Sequence, residues 1–341
     1  MQESSPITPI SQSLHPGSFA DDILNRMMPS DNAAPAADFE DLCPTPRELE
    51  GNHMLNGYRI ERCVGAGGFG VTYLAADDLL GRRVVIKEHF PKLLCERRCG
   101  TLNVELTDPA KTEDLEWSRR NFLREMRLMA TLDHHNIVKI FSSFTAHQTL
   151  YYVTEYIDGR SLGDLALYHR QAGTRVTQDE LYGLMVRLLD ALHYLHSRSV
   201  LHLDIKPDNI LLTANGRPVL IDFGAAHENF GDTGVGVVET VGFSPPEQSM
   251  EGGERLGPWS DIYALGATLC YLLTGYPPSP SGQRLLYDNF EPLASRAALT
   301  SVYHTDLLAG IDRALSPTLD ARYRSVDEWM ADLGEVRVTK H

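Results

Sequence analysis

The stretch His202-Leu203-Asp204-Ile205-Lys206-Pro207-Asp208-Asn209 puts a carboxylate, an ammonium and an amide at i, i+2 and i+5, and the apolar run Ile210-Leu211-Leu212 follows it. Pro207 has no N–H to give a helix and disfavours the α region at Lys206, so the stretch reads as a rigid loop entering a short strand. In such a loop Asp204 is placed to accept a proton, Lys206 to steady a negative phosphate and Asn209 to hold a hard cation. Thirteen residues after Asn209 comes another acid, in Asp222-Phe223-Gly224. If these groups share a site, the chain must supply a phosphate-binding element upstream and a substrate platform downstream.

The upstream half has the right parts. Tyr58 to Val64 reads as a strand, runs into Gly65-Ala66-Gly67-Gly68-Phe69-Gly70, and leaves through Val71-Thr72-Tyr73-Leu74-Ala75. A G-x-G-x-x-G alone is weak evidence. Its β-type flanks on both sides argue against a dinucleotide site, which needs a helix after the turn. They suit a hairpin flap whose backbone N–H groups lie over phosphates, because glycine puts no Cβ in the way. Val84-Val85-Ile86-Lys87 is an apolar strand ending in a lysine that, taken alone, reads as a solvated edge residue. Trp117 to Leu132 has helical spacing, with Phe122, Met126, Met129 and Ala130 as its apolar stripe and Glu125 beside it. A strand is expected to start at His134-His135-Asn136-Ile137-Val138. Another, Tyr151-Tyr152-Val153-Thr154-Glu155-Tyr156-Ile157-Asp158-Gly159, is a strand ending in a turn, and Leu181 to Ser197 is an amphipathic helix feeding the central loop.

In this order and spacing the set resembles the protein kinases, most of all the bacterial serine/threonine kinases of eukaryotic type, over residues from about 57 to 337. The resemblance implies an α+β bilobal fold. Its N-lobe, 53–156, would be a small antiparallel sheet with one regulatory helix and an insertion at 92–116. Its C-lobe, 157–341, would be larger and mostly helical. It implies Asp204 as catalytic base, Lys206 on the γ-phosphate, Lys87 on the α- and β-phosphates with Glu125 as its brace, and Asn209 and Asp222 as ligands of Mg²⁺ (or Mn²⁺). ATP would lie under Gly65, Ala66, Gly67, Gly68, Phe69 and Gly70, among Thr72, Val85, Thr154, Glu155, Ile157 and Leu211. Thr154 would be a small gatekeeper, and Ser161 and Asp164 would lie near the ribose. Thr240 would bond Asp204 and Lys206, Asp261 would hold the catalytic loop or simply cap its helix, and Arg322 would pair with Glu247. Thr72 and Val85 replace the family's usual valine and alanine. Leu203 stands where many regulated members have arginine, so an obligatory phosphate on the loop containing Thr233, Gly231, Gly234 and Gly236 is not expected. The expected activity is transfer of the γ-phosphate of Mg-ATP to Ser/Thr hydroxyls of proteins, the chain itself included. A pseudokinase scaffold and an AMP transferase on the same fold are the alternatives.

The bulk properties agree. At 341 residues, 43% hydrophobic and 23% charged, the chain fits a globular protein of this size. A net charge of −15 argues against nucleic acid or an anionic membrane as partner. No apolar run is long enough to span a bilayer, and the N-terminus has no secretory signal. Five cysteines suit a reducing compartment, so the expected location is cytoplasmic, with export as an effector left open. Cys95 and Cys99 have no matching second pair and read as ordinary thiols. Residues 1–52 carry nine acids, two bases and seven prolines and read as a disordered tail. Phe19, Ile23 and Met27 at i, i+4, i+8 offer a docking face there for a partner or for the domain itself.

Overall fold

The computed structural model describes residues 48–68, 70–97, 102–228, 239–249 and 256–338. Phe19, Ile23, Met27, Phe69, Cys99, Gly231, Thr233, Gly234 and Gly236 lie outside these residues, as does the tail up to residue 47.

The N-terminal half is one antiparallel sheet. Its strands are β1 (Met54–Leu55), β2 (Tyr58–Ala66), β3 (Gly70–Asp77), β4 (Arg82–His89), β7 (Ile140–Ala146) and β8 (Thr149–Glu155), in the order β1-β2-β3-β4-β8-β7. Strand alternation divides β4 between two environments. Val84, Ile86 and Glu88 point into a core with Leu49, Leu55, Ile60, Val71, Tyr73 and Tyr151, whereas Lys87 points to the opposite face. Leu49, assigned by composition to the tail, belongs to this core: it is buried, and its N–H donates to the Tyr73 hydroxyl at 3.2 Å.

The insertion folds as a hairpin of β5 (Cys95–Arg97) and β6 (Val104–Leu106), with Cys95 and Val104 buried in the same core. The helix after it, α1 (Thr112–Thr131), starts earlier than its apolar spacing suggests. Its first turn is polar and exposed, so the pattern appears only further on. The Asp108 carboxylate caps the preceding turn by accepting from Ala110 N–H at 2.9 Å. Phe122, Met126, Leu128 and Met129 face inward, while Ala130, expected in the stripe, is exposed. The strand expected at His134–Val138 is a turn instead. Val138 N–H donates to Leu220 O at 3.0 Å, which ties this stretch to the second half of the molecule rather than to the sheet.

His89 joins β4 to α1. Its ring is buried against Phe122, with Nε2 2.9 Å from Ser118 Oγ. Burial, with Arg119 nearby, lowers its pKa to about 4 from 6.5. The unfolded chain therefore binds the extra proton between pH 6.5 and 4, and stability falls as pH drops through that window. The slope integrates to about 3 kcal/mol at most. Urea midpoints measured from pH 7 to 4 are expected to fall more steeply for the wild type than for His89→Gln; parallel curves would contradict this.

The C-terminal half is helical. Its principal helices are α2 (Leu162–Ala172), α3 (Gln178–Ser197), α5 (Pro258–Thr274), α8 (Thr305–Ala314) and α9 (Val326–Val338), with the short α4 (Pro246–Ser249), α6 (Ser281–Leu286) and α7 (Ala297–Thr300) between them. A Thr177–Glu180 capping box starts α3. α5 is apolar almost all round and forms the centre of the core, against Leu189, Leu192, Ile311 and Trp329. Two small ladders carry the loops: β9 (Gly159–Ser161), β11 (Ile210–Thr213) and β12 (Pro218–Leu220), and β10 (Val200–Leu201) with β13 (His227–Glu228). Among the described residues no helix is long and apolar enough to cross a membrane.

Candidate active site

Sheet register places the first cluster. Lys87 sits opposite Thr72 on one side and Tyr152 on the other, and Thr72 sits opposite Gly65. Lys87 Nζ lies 2.9 Å from Glu125 Oε1 and 2.8 Å from Asp222 Oδ1. The Tyr152 hydroxyl donates to the same Glu125 oxygen at 2.7 Å. Burial alone would lower the lysine pKa. Glu125, Tyr152 and Asp222 outweigh it and hold Lys87 well above its usual range. The Lys87 ammonium in turn pulls the Asp222 carboxyl down to about 2, so the acid is ionised at any working pH.

The second cluster is the central loop. Lys206 is extended before Pro207, as the proline requires, and Pro207–Asn209 forms one helical turn. Lys206 Nζ contacts both Asp204 oxygens, at 3.0 and 2.8 Å. Thr240 Oγ1 donates to Asp204 Oδ1 at 2.9 Å. Asn209 Nδ2 donates to Asp204 Oδ2 at 2.8 Å and to its carbonyl at 2.9 Å, which turns the amide oxygen away from the acid. Asp261 does not cap its helix. Its carboxylate accepts the N–H groups of His202 and Leu203, at 2.9 and 2.8 Å, and lies 2.9 Å from His196 Nε2.

A ladder joins the clusters. β11 follows Asn209 and β12 precedes Asp222; Ile210 is paired with Leu220, and Ile221 N–H donates to Asn209 O at 2.9 Å. Asn209 and Asp222 therefore leave from the same end of one hairpin. Leu203 and Asp222 both have φ near +60, a conformation unfavourable to a side-chain-bearing residue. Such strain persists where surroundings impose it. Here Asp261 and the Gln248 amide hold the Leu203 backbone, and Lys87 holds Asp222.

The glycine turn closes through Gly67 N–H to Gly70 O at 2.8 Å. A Cβ on Gly65 or Gly68 would meet no protein atom within 4 Å, so packing does not demand glycine there. Gly70 is different, since a Cβ there would lie 2.5 Å from Glu88 O. Ala66 ends β2 beside Val71, Val85 is opposite Thr154, and Leu211 is opposite Ser161. Glu155 N–H donates to Lys139 O at 2.9 Å, and Ile157 is buried. Ser161 caps α2 by accepting the Asp164 N–H, and its hydroxyl donates to the Asp164 carboxylate. Glu247 and Arg322 form a buried pair at 2.7 Å.

A family model described as the protein kinase domain matches residues 58–307. The chain belongs to the protein kinase family. A probable serine/threonine-protein kinase of Streptomyces coelicolor, SCO3848, is 31% identical over 84% of this kinase and 40% of its own length. PknJ of Mycobacterium tuberculosis is 35% identical over 69% of this kinase and 37% of its own length. The kinase thus spans about two-fifths of the length of such curated relatives. The solved structure of PpkA-294 in its apo form matches with a TM-score of 0.73 at 30% identity, covering 84% of this kinase and 99% of that chain. The kinase domain of M. tuberculosis PknI shares the fold, with a TM-score of 0.58 at 23% identity over 85% and 100% of the two chains.

Among the described residues, no group of three or more His, Cys, Asp or Glu side chains is placed to hold a metal. Mg²⁺ takes one or two protein ligands and completes its shell with phosphate and water. The ionised Asp222 carboxylate and the Asn209 amide oxygen are the donors such a site needs. Sequence reasoning missed Glu88, His196 and Gln248. Glu88 alone had a readable signal: an acid in phase with Val84 and Ile86 is an acid on the apolar face of its strand.

Proposed function

We propose that this kinase transfers the γ-phosphate of Mg-ATP to serine or threonine hydroxyls of proteins, itself included. The observation that carries the reading is the contact of Lys87 with both Glu125 and Asp222, which joins the phosphate lysine to its brace and to the metal acid. Phosphoryl transfer needs positioning and charge neutralisation more than covalent help. The backbone of Gly65, Ala66, Gly67, Gly68 and Gly70 covers the phosphates, and Lys87 orients them. Thr72, Val85, Thr154, Ile157 and Leu211 surround the adenosine, with backbone groups of Glu155 and Ile157 on the adenine edge. Asp222 and Asn209 would hold Mg²⁺ or Mn²⁺, whose chemistry there would be to neutralise phosphate charge. Asp204 orients the acceptor hydroxyl and takes its proton, and Lys206 follows the γ-phosphate as it moves. Five cysteines, a sparse and odd number, suit a reducing compartment, in keeping with a cytoplasmic enzyme. The N-terminal tail is the segment for a docking partner.

Incubation of the purified protein with ATP and Mg²⁺ is expected to place phosphate on Ser or Thr, mapped by mass spectrometry, and chelation is expected to prevent it. Phosphate on neither residue, with the protein folded, would count against the reading.

The loop after Asp222 carries Thr233 as a candidate phosphosite. Leu203 lies in an apolar cluster with Leu201, Leu256 and Ala225, and a leucine cannot pair with a phosphate. Thr233→Ala is therefore expected to keep kcat/KM close to wild type. A fall to the level of an Asp204 variant would show that loop phosphorylation is obligatory.

A further inference from the structure

Glu88 lies on the side of β4 away from Lys87, fully buried beneath the insertion. A carboxylate in such a place must be met by charge and by donors. Arg97 of β5 meets it through one nitrogen, 2.8 Å from Oε1 and 2.7 Å from Oε2. The Tyr73 hydroxyl donates to Oε2 at 2.7 Å and the Tyr151 hydroxyl to Oε1 at 2.5 Å. Burial, and then the Glu88 carboxylate, hold both phenols far above their usual range, so both stay protonated donors. Arg97 also donates to Leu102 O at 2.7 Å, which ties β5 to the approach of β6.

The same insertion touches the glycine turn. Lys92 N–H donates to Gly68 O at 3.2 Å. Gly70, at the other end of the turn, packs on the Glu88 carbonyl so closely that no Cβ fits. One segment thus grips both phosphate-facing elements from behind, at the turn through Lys92 and at the lysine strand through Arg97 and Glu88.

We propose that the β5–β6 insertion is a brace for nucleotide binding, with Glu88 and Arg97 as positioning residues that fix the Lys87 strand against the glycine turn. This rests on the reading of the cleft as an ATP site. Arg97 acts through Glu88, and Glu88 acts through the peptide it shares with Lys87. A buried ion pair contributes little net stability compared with apolar residues of the same volume, but it fixes geometry. A brace that preorganises the site lowers the ordering cost of binding, so its loss should appear in nucleotide affinity and not in the transfer step.

The test uses the full chain, with steady-state KM for ATP, kcat, and direct binding of a fluorescent ATP analogue. Arg97→Met is expected to raise KM and Kd about tenfold with kcat within about twofold, and Arg97→Lys to recover part of the loss. Should Arg97→Met not fold, Tyr73→Phe with Tyr151→Phe removes two donors at constant core volume and is expected to weaken binding about threefold. Wild-type KM and Kd in folded variants, or a loss confined to kcat, would overturn the brace. A wild-type protein that neither binds nor turns over ATP would overturn the underlying reading, and the brace with it.

Discussion

Asp204→Ala is expected to lower kcat by about a thousandfold while ATP binding and thermal stability stay near wild type. The acid is held where a proton acceptor should be, by Lys206, Thr240 and Asn209 together. None of the three is catalytically equivalent to it. Lys206 Nζ and the Thr240 hydroxyl donate to the acid, and the Asn209 amide has no basicity. The Asp204 side chain is 16% exposed and Lys206 26% exposed, so water can solvate the ammonium once the carboxylate is gone, and the fold has little to lose. Asp204→Asn keeps the shape and the hydrogen bonds to one of the two oxygens and is expected to be almost as inactive, because it cannot accept the proton. Initial rates at saturating ATP, with melting curves run alongside, measure both effects. A variant with a tenth of wild-type kcat or more would remove Asp204 from its role.

Arg322→Met is expected to have the largest effect on stability, a loss of about 3–5 kcal/mol, read as the shift in urea unfolding free energy. The guanidinium is fully buried and so is its partner, Glu247. Beyond Glu247 Oε1 it donates to the carbonyls of Trp259 at 3.0 Å and Ser316 at 2.9 Å, and it stacks on the Tyr263 ring at 4.9 Å. Methionine fills much of the volume but leaves a buried carboxylate that, among the described residues, keeps Ser260 Oγ, 3.0 Å away, and it removes a donor from the carbonyls of Trp259, Ser316 and Pro317. Against a total stability of roughly 5–15 kcal/mol, that is enough to unfold part of the population at ordinary temperature. Glu247 opens α4, just after the segment that carries Thr240, so activity should fall with the folded fraction and not independently of it. A change below about 1 kcal/mol would show that the buried pair carries little of the stability.

The parts of this molecule that were legible in its sequence are those where chemistry dictates residue type. The structure places Lys87 against Asp222 and Lys206 and Asn209 against Asp204, and the β11–β12 hairpin ties the two groups. Glycine at 65 and 68 is not demanded by packing, since a Cβ at either would meet no protein atom within 4 Å. Less legible were the features set by tertiary contact. The first turn of α1 is polar and exposed, so no apolar period announced it. Ile137 and Val138 have the composition of a strand, but their backbone meets Leu220 instead of the sheet. Leu49 looked like tail because its neighbours are polar, although its own side chain fills the core beside Tyr73. Glu88 shows the limit most plainly. Its phase with Val84 and Ile86 announced an acid on an apolar face, but nothing local named Arg97, Tyr73 and Tyr151 as the groups that meet it.

The measurement that bears most directly on the account is which phosphate of ATP the protein transfers. Supplied with ATP labelled at either the α or the γ position, together with Mg²⁺, the wild-type chain is expected to acquire only the γ label, on serine or threonine, and Asp204→Ala to acquire none. Retention of the α label would mean that a nucleotidyl group moves. No label in a folded protein that still binds ATP would mean that the cleft serves as a scaffold. Either result would contradict the assignment of Asp204 and Lys206 to γ-phosphoryl transfer.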